Sequence, residues 1–346
     1  YLEDNNVDRM VAGYIDAILT EHQSSRGNHI MLEVGADFTG DNSHTWFKNM
    51  DKLIERIHAQ DDRFHVFYSD PLTYTHARAA ETDVQWSVKT DDFFPYSDHE
   101  HAFWAGYFTS RPTLKFFERS ASSLLQTFKQ LTAAPSKRVR AMRGEIDKVL
   151  FQLTAAVGLV NHHDAITGTS KQHVADDYVK ILAKAVTAAE ALIGKVYGNS
   201  LLPSAAEADK YAKQDATPPV FTMCRMLNES TCTATQELKQ GEATVVSVYN
   251  PLPRARSQQI TLPINTHARA SVFSGTKLIP SDLLETQNKV AESSAPYSLV
   301  FTAQNVPALG SATFIVRLAD KSEPVAVGTP VRAEKIADEA GPQLTV

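Results

Sequence analysis

Three apolar stripes at helical spacing, followed by an abrupt change to alternation, limit what this chain can fold into. Leu114, Phe117, Ala121, Leu124, Phe128 and Leu131 recur every third or fourth position. So do Ile146, Val149, Leu150, Leu153, Val157 and Val160, and again Val174, Tyr178, Ile181, Ala185, Ala189, Leu192 and Val196. Such a stripe turns one helical face toward a core. Three of them with short connections, the first around Ala134-Pro135-Ser136, predict an antiparallel three-helix bundle. Beyond it the period becomes two: residues 244–249, 259–264, 297–301 and 312–316 alternate and are separated by Pro, Gly and Asn, which predicts an antiparallel β-sandwich. Upstream, Val11, Ile15, Ile18 and Leu19 keep helical spacing, as do Trp46, Phe47, Met50, Leu53, Ile54 and Ile57, while residues 30–34 and 64–68 are short strand-like runs. Strand, helix, strand in that order predicts an α/β unit with a parallel sheet.

The chain therefore divides into an incomplete α/β part over residues 1–90, a helical part over 91–215 and the start of a β-sandwich region over 216–346. Residues 205–208 and the Pro218-Pro219 pair mark the linker between the last two. Residues 341–346 read as the entry to a further strand, and both ends are expected to cut through a larger protein. At 346 residues and 43% hydrophobic content there is material for two or three cores. The net charge of -6, without basic runs interleaved with aromatics, argues against nucleic acid as a partner. No apolar run approaches the ~20 residues that span a bilayer, and the opening residues are not a signal peptide.

Polar chemistry interrupts this plan at one place. The stripe of the second long helix, continued by three residues beyond Val160, lands on His163 within Asn161-His162-His163-Asp164-Ala165-Ile166-Thr167-Gly168-Thr169. Gly168 is free to take positive φ and break the helix, and a neighbouring hydroxyl is placed to cap the helix that runs on through His173 and Val174. A bundle needs only a turn there, so two imidazoles and a carboxylate are more than folding requires. Taken alone, the triplet reads either as a satisfied histidine with a local cap or as a metal or substrate site. Cys224 and Cys232, the only cysteines, flank the N-glycosylation sequon Asn228-Glu229-Ser230. That arrangement reads as a small disulfide loop of a secretory-pathway protein, or as two free thiols beside an unused sequon.

Several blocks in one order resemble the α-mannosidases of glycoside hydrolase family 38. They are Gly35-Ala36-Asp37-Phe38 with the helix from Thr45 to Ile54, Asp91-Asp92-Phe93-Phe94-Pro95-Tyr96, Phe103-Trp104-Ala105-Gly106-Tyr107-Phe108-Thr109-Ser110-Arg111-Pro112, the His-His-Asp turn, the cysteine pair, and Val248-Tyr249-Asn250-Pro251-Leu252. They look more like the lysosomal, acid-acting branch than the Golgi processing branch. The resemblance implies that residues 1–90 are the C-terminal part of a parallel, barrel-like α/β catalytic domain. It also implies a retaining exo-α-mannosidase of a lysosome or equivalent acidic vacuole, acting on terminal mannose of N-glycan oligosaccharides, and it favours the Cys224–Cys232 disulfide and a glycan on Asn228.

Retention needs two carboxylates, one attacking the anomeric carbon and one protonating the leaving oxygen. By resemblance Asp37 is the general acid/base, His163 is one ligand of a zinc ion, Asp164 holds sugar hydroxyls and His162 orients or packs beside them. The family's nucleophilic aspartate and His-x-Asp ligands have no counterpart in this sequence. The chain is thus expected to be inactive alone and active with other proteolytic segments of the same enzyme; a homo-oligomer is left open. A Golgi-type processing mannosidase, or a non-catalytic fragment that binds glycans, are the alternatives. Elsewhere, His99-Glu100-His101 reads as a solvated loop, Phe93, Phe94, Tyr96, Trp104 and Tyr107 as either a sugar cleft or packing, and Arg111 as a structural arginine.

Overall fold

In a computed structural model, residues 4–133, 136–201, 218–267, 269–286, 289 and 292–319 are described. The chain separates into two compact units, residues 1–94 and 95–346. The first contains α1 (Val7–Ser24), α2 (Ser43–Gln60) and α3 (Pro71–Ala79). Val11 of α1 and Ile57 of α2 are its fully buried apolar side chains among the described residues. Asp70 caps α3, accepting from the amides of Leu72 and Thr73 at 2.9 and 3.0 Å, and Pro71 supplies the first helical residue, whose missing N–H is not needed there.

The two strand-like runs of this unit behave differently from the expectation. Residues 30–34 and 64–68 carry no strand ladder in the structure. Ile30, Leu32, Phe64 and Val66 are half-buried, whereas Met31 at 37%, Val34 at 49% and Phe67 at 55% exposure stay open. Alternation predicts how a strand divides its side chains, but a strand exists only where a neighbour pairs its backbone groups. Among the described residues of the first unit no such neighbour is present, so its parallel sheet is not formed.

The second unit has two cores. One is built by α4 (Pro112–Ala133), the short α5 (Lys137–Arg140), α6 (Arg143–Val160) and α7 (Gln172–Leu201). Leu114, Leu124 and Phe128 of α4 meet Ile146, Leu153 and Val160 of α6 and Leu182, Val186, Leu192 and Val196 of α7, with Val139 of α5 closing one end. Every long helix of the three touches the other two. The linker expected at residues 205–208 lies outside the described residues, as do Ala134, Pro135 and residues 341–346.

From Pro218 the chain returns across α7. Gly194 and Gly198, one turn apart, let the backbone of Phe221 and Pro219 lie against the helix, where any Cβ would collide with their carbonyls, and the Phe221 amide donates to the Gly194 carbonyl at 3.2 Å. Cys224 and Cys232 are joined by a disulfide. Between them, Arg225 places its Nε 2.8 Å from Glu190 Oε1 of α7 and its guanidinium over the Phe117 ring. Burial pushes the Glu190 carboxyl above its ordinary value, with Arg225 opposing.

After α8 (Thr233–Gln236) come, among the described residues, seven strands: β1 (Ala243–Asn250), β2 (Arg256–Ile264), β3 (Ala270–Ser274), β4 (Lys277–Ile279), β5 (Ser281–Glu285), β6 (Tyr297–Val306) and β7 (Gly310–Leu318). They form two antiparallel sheets, β1-β7-β3-β4 and β2-β6-β5. Leu262, Ile264, Leu299 and Phe301 of one sheet and Val272, Phe314, Val316 and Leu318 of the other share one core, as a sandwich requires. Asn250, at the end of β1, is 2% exposed. Its amide donates to the carbonyls of Val306, Pro307 and Arg254, and its Oδ1 accepts from the Leu252 amide at 3.1 Å. A buried amide is tolerated only when its donors and acceptor are so occupied, which accounts for an asparagine in that sequence block.

Candidate functional site

The turn between α6 and α7 carries the densest polar chemistry of the second unit. α6 ends at Val160 because Asn161 folds back: its side-chain amide donates to the Val157 carbonyl at 2.9 Å and to the buried Glu118 of α4 at 3.0 Å. Ala165, wholly buried, pins the turn's underside. Gly168 takes φ +78°, and a Cβ there would lie 2.8 Å from Ser110 Oγ and 2.9 Å from the Ser110 carbonyl. Both the backbone angle and the close approach exclude a side chain. Gly168→Ala should therefore lower stability by about 1–3 kcal/mol, read as the denaturant midpoint of the purified protein at constant m.

With the underside fixed, His162, His163 and Asp164 face outward, their side chains 43%, 82% and 54% exposed. One Asp164 oxygen, Oδ2, lies 3.4 Å from His163 Nε2 and 3.6 Å from His162 Nε2. The imidazole rings are tilted against each other with centroids 4.3 Å apart. One donor atom from each residue lies within 4.8 Å of the others, and this is the single such three-residue group of His, Cys, Asp and Glu among the described residues. Donors at ~2.0–2.1 Å from a tetrahedral centre stand about 3.4 Å apart, and imidazole with carboxylate is a donor set that suits zinc. Asp164 Oδ2 and each imidazole Nε2 stand at about that separation and the donor chemistry suits the ion, although three donors do not complete a tetrahedron.

The other Asp164 oxygen is engaged within the turn. Thr169 donates its hydroxyl to Asp164 Oδ1 at 2.8 Å, and the Thr167 hydroxyl lies 3.0 Å from that of Thr169 and donates to the His163 carbonyl. The expected helix cap is thus replaced by a bond to the site's carboxylate. Just before α4, Arg111 donates to the carbonyls of Gly168 and Ser170 and to the Gln172 side chain, at 3.2, 2.9 and 2.7 Å. Lys115 donates to the Ile166 and Ser110 carbonyls, both at 2.6 Å, and burial holds its ammonium below the ordinary lysine value. None of these four residues was a sequence candidate for the site, although Arg111 was read as a structural arginine, and its bonds to this turn agree with that reading. The Arg111-Pro112 pair at a helix start and the two threonines around Gly168 were the only local hints.

Asp37 belongs to the first unit, on an exposed turn that leads into α2. Thr39 shapes that turn, its hydroxyl bonded to both the amide and the carbonyl of Ala36 at 2.9 Å. Asn42 occupies the N-cap of α2, so Asp37 is not the helix's cap. His99 and His101 pair with their neighbours Asp98 and Glu100 on exposed positions and do not join a cluster. Among the aromatics, Tyr96 packs edge-on against Trp104, whose indole donates to Asp98 Oδ1 at 2.9 Å, and Tyr107 packs against Phe108. Lys89 sits over the Phe93 ring. Asn228 is exposed within its sequon.

Known proteins match this chain along nearly its whole length. Residues 2–99 match the N-terminal domain of glycosyl hydrolases family 38, and residues 102–199 match the α-mannosidase middle domain. Lysosomal α-mannosidase of Felis catus is 36% identical over 90% of this chain, and that of Dictyostelium discoideum is 32% identical over 99%. The chain spans 29% of the first relative's length and 33% of the second's. A solved α-mannosidase from Enterococcus faecalis V583 superposes with a TM-score of 0.42 at 12% identity, covering 80% of this chain and 32% of that one. By its two matched domains and its relatives of 32–36% identity, this chain belongs to glycosyl hydrolase family 38.

Proposed function

We propose that this chain is one piece of a retaining exo-α-mannosidase that removes terminal α-linked mannose from N-glycan oligosaccharides. The observation that carries the reading is the outward-facing imidazole–carboxylate cluster on the turn between α6 and α7, in a chain of this family. His163 Nε2 would hold a zinc ion, with further ligands from polypeptide outside this chain. Such an ion, when bound, polarises and orients the mannose hydroxyls beside the reacting carbon. Asp164 accepts hydrogen bonds from those hydroxyls, and His162 packs beside it and keeps its orientation. Asp37 gives its proton to the leaving oxygen as the glycosidic C–O bond breaks, while a carboxylate from the other segment bonds to the anomeric carbon. In the second half Asp37, now ionised, takes a proton from water as that water's oxygen displaces the enzyme's carboxylate.

Residues 1–90 are then the C-terminal part of the barrel-like α/β catalytic domain, in which the runs 30–34 and 64–68 find strand neighbours on another segment. Residues 91–215 are the middle domain, and 216–346 open the β-sandwich region. A lysosome or equivalent acidic vacuole is the proposed location. The relatives' lysosomal names, the disulfide and the exposed sequon at Asn228 support it.

The test is hydrolysis of an aryl α-mannoside at acidic pH by natively purified protein, before any step that separates associated polypeptides, with zinc counted by elemental analysis. Release of the aryl alcohol with about one zinc per chain is the expected result. No release with zinc supplied leaves the chain as a non-catalytic glycan-binding segment.

A further inference from the structure

We propose that Thr169 is a positioning residue of the sugar-binding carboxylate: its hydroxyl holds Asp164 Oδ1 so that Oδ2 is presented, beside the two imidazoles, to the mannose hydroxyls. The inference rests on the zinc-and-sugar reading above and adds a residue to it. A carboxylate has two equivalent oxygens and a soft terminal torsion, so an exposed aspartate ordinarily presents either oxygen in many directions. Here Oδ1 accepts the Thr169 hydroxyl at 2.8 Å, and Oδ2 is left 3.4 and 3.6 Å from the imidazole nitrogens. A hydroxyl has one proton to give, and the carboxylate is the strongest acceptor in reach of Thr169. Thr167 completes the arrangement. Its hydroxyl oxygen lies 3.0 Å from that of Thr169 and its own proton goes to the His163 carbonyl, which leaves the Thr169 proton for the carboxylate.

Nothing else in the turn asks for that hydroxyl. The turn's backbone is closed by the Gly168 amide on the Ala165 carbonyl at 2.9 Å and the Ser170 amide on the Asp164 carbonyl at 3.2 Å. Arg111 and Lys115 hold the turn to α4 through the carbonyls of residues 166, 168 and 170, none of which involves the Thr169 side chain. Arg111 adopts φ +52°, an uncommon angle for a residue with a side chain, and its guanidinium reaches three acceptors of this turn. The scaffold is thus set by α4 and Gly168, whereas exposed Thr169 acts on the orientation of one carboxylate.

The experiment uses the natively assembled enzyme with Thr169→Val, which keeps the shape and loses the hydroxyl, and Thr169→Ser, which keeps the hydroxyl. Affinity for free mannose is read by titration calorimetry, with zinc content and the thermal midpoint read alongside. The hydrogen bond that orients an acceptor is worth about 0.5–1.5 kcal/mol, or roughly 3–10-fold in affinity. Thr169→Val is expected to weaken mannose binding by about that factor with zinc content and midpoint unchanged, and Thr169→Ser to restore it. Wild-type affinity in Thr169→Val overturns the proposal. So does a serine variant as weak as valine, because shape and not the hydroxyl would then matter. A wild-type assembly that binds no mannose overturns the parent reading and this one with it, and that outcome is told apart by the wild type alone.

Discussion

Asp37→Asn should slow hydrolysis of an alkyl α-mannoside by about 10²–10⁴-fold, the usual contribution of a positioned acid or base. An amide cannot give up a proton at enzymatic pH, so the alkoxide would have to leave unassisted. An activated aryl mannoside carries a leaving oxygen that needs no proton, and for it the first half-reaction should be largely spared. The second half-reaction still lacks its base, so turnover becomes limited by attack of water, and a burst of released aryl alcohol should precede slow steady-state turnover. The substitution is a clean one on structural grounds. Asp37 lies on an exposed turn shaped by Thr39 and Ala36, and α2 begins at its own N-cap, Asn42. Equal losses on both substrates without a burst would remove Asp37 from the acid/base role.

The sequence pattern anticipated the helices and missed the partners. The stripes led directly to the bundle core: Leu114, Leu124 and Phe128, then Ile146, Leu153 and Val160, are buried where the spacing placed them. Four of the seven strands among the described residues showed as period-two runs; β4 has only 3 residues, and β3 and β5, with 5 each, read Ala-Ser-Val-Phe-Ser and Ser-Asp-Leu-Leu-Glu, where adjacent apolar residues hide the alternation. The runs at 30–34 and 64–68 failed in the opposite sense, since short strand-like apolar runs were present and the ladder was not. Periodicity reports how a segment divides its own side chains, and it cannot report a pairing neighbour.

The same limit applies at the site. His162, His163, Asp164 and Gly168 stood out because they are adjacent and break a helical stripe. Arg111 was legible only as a structural arginine and Lys115 not at all, because the bonds that bind them to the turn close over 51–61 residues of chain. Thr169 was visible only as a turn residue with a hydroxyl. Its bond to Asp164 follows from the way the chain folds back through Gly168, whose positive φ brings residue 169 over residue 164.

His163→Ala should strip zinc from the assembled enzyme and take the activity with it. Four-ligand zinc sites bind with roughly 10–16 kcal/mol, or about 3 kcal/mol per ligand, so one lost imidazole should weaken binding by about 10²–10³-fold. The close alternative is His162, whose Nε2 is only slightly farther from Asp164 Oδ2, at 3.6 Å against 3.4 Å. Exposure separates the two: the His163 ring is 82% open and able to meet ligands brought by another segment, while His162 is 43% open and packs against its neighbour. His162→Ala should accordingly keep its zinc and lose activity only in part. Zinc content of the two variants, measured after identical dialysis against a weak chelator, decides the assignment. Stoichiometric zinc in His163→Ala would refute it, and zinc lost only from His162→Ala would move the ligand one residue upstream. Loss from both would mean that the imidazole pair acts as a unit, with the tilted ring contact holding the liganding nitrogen in place.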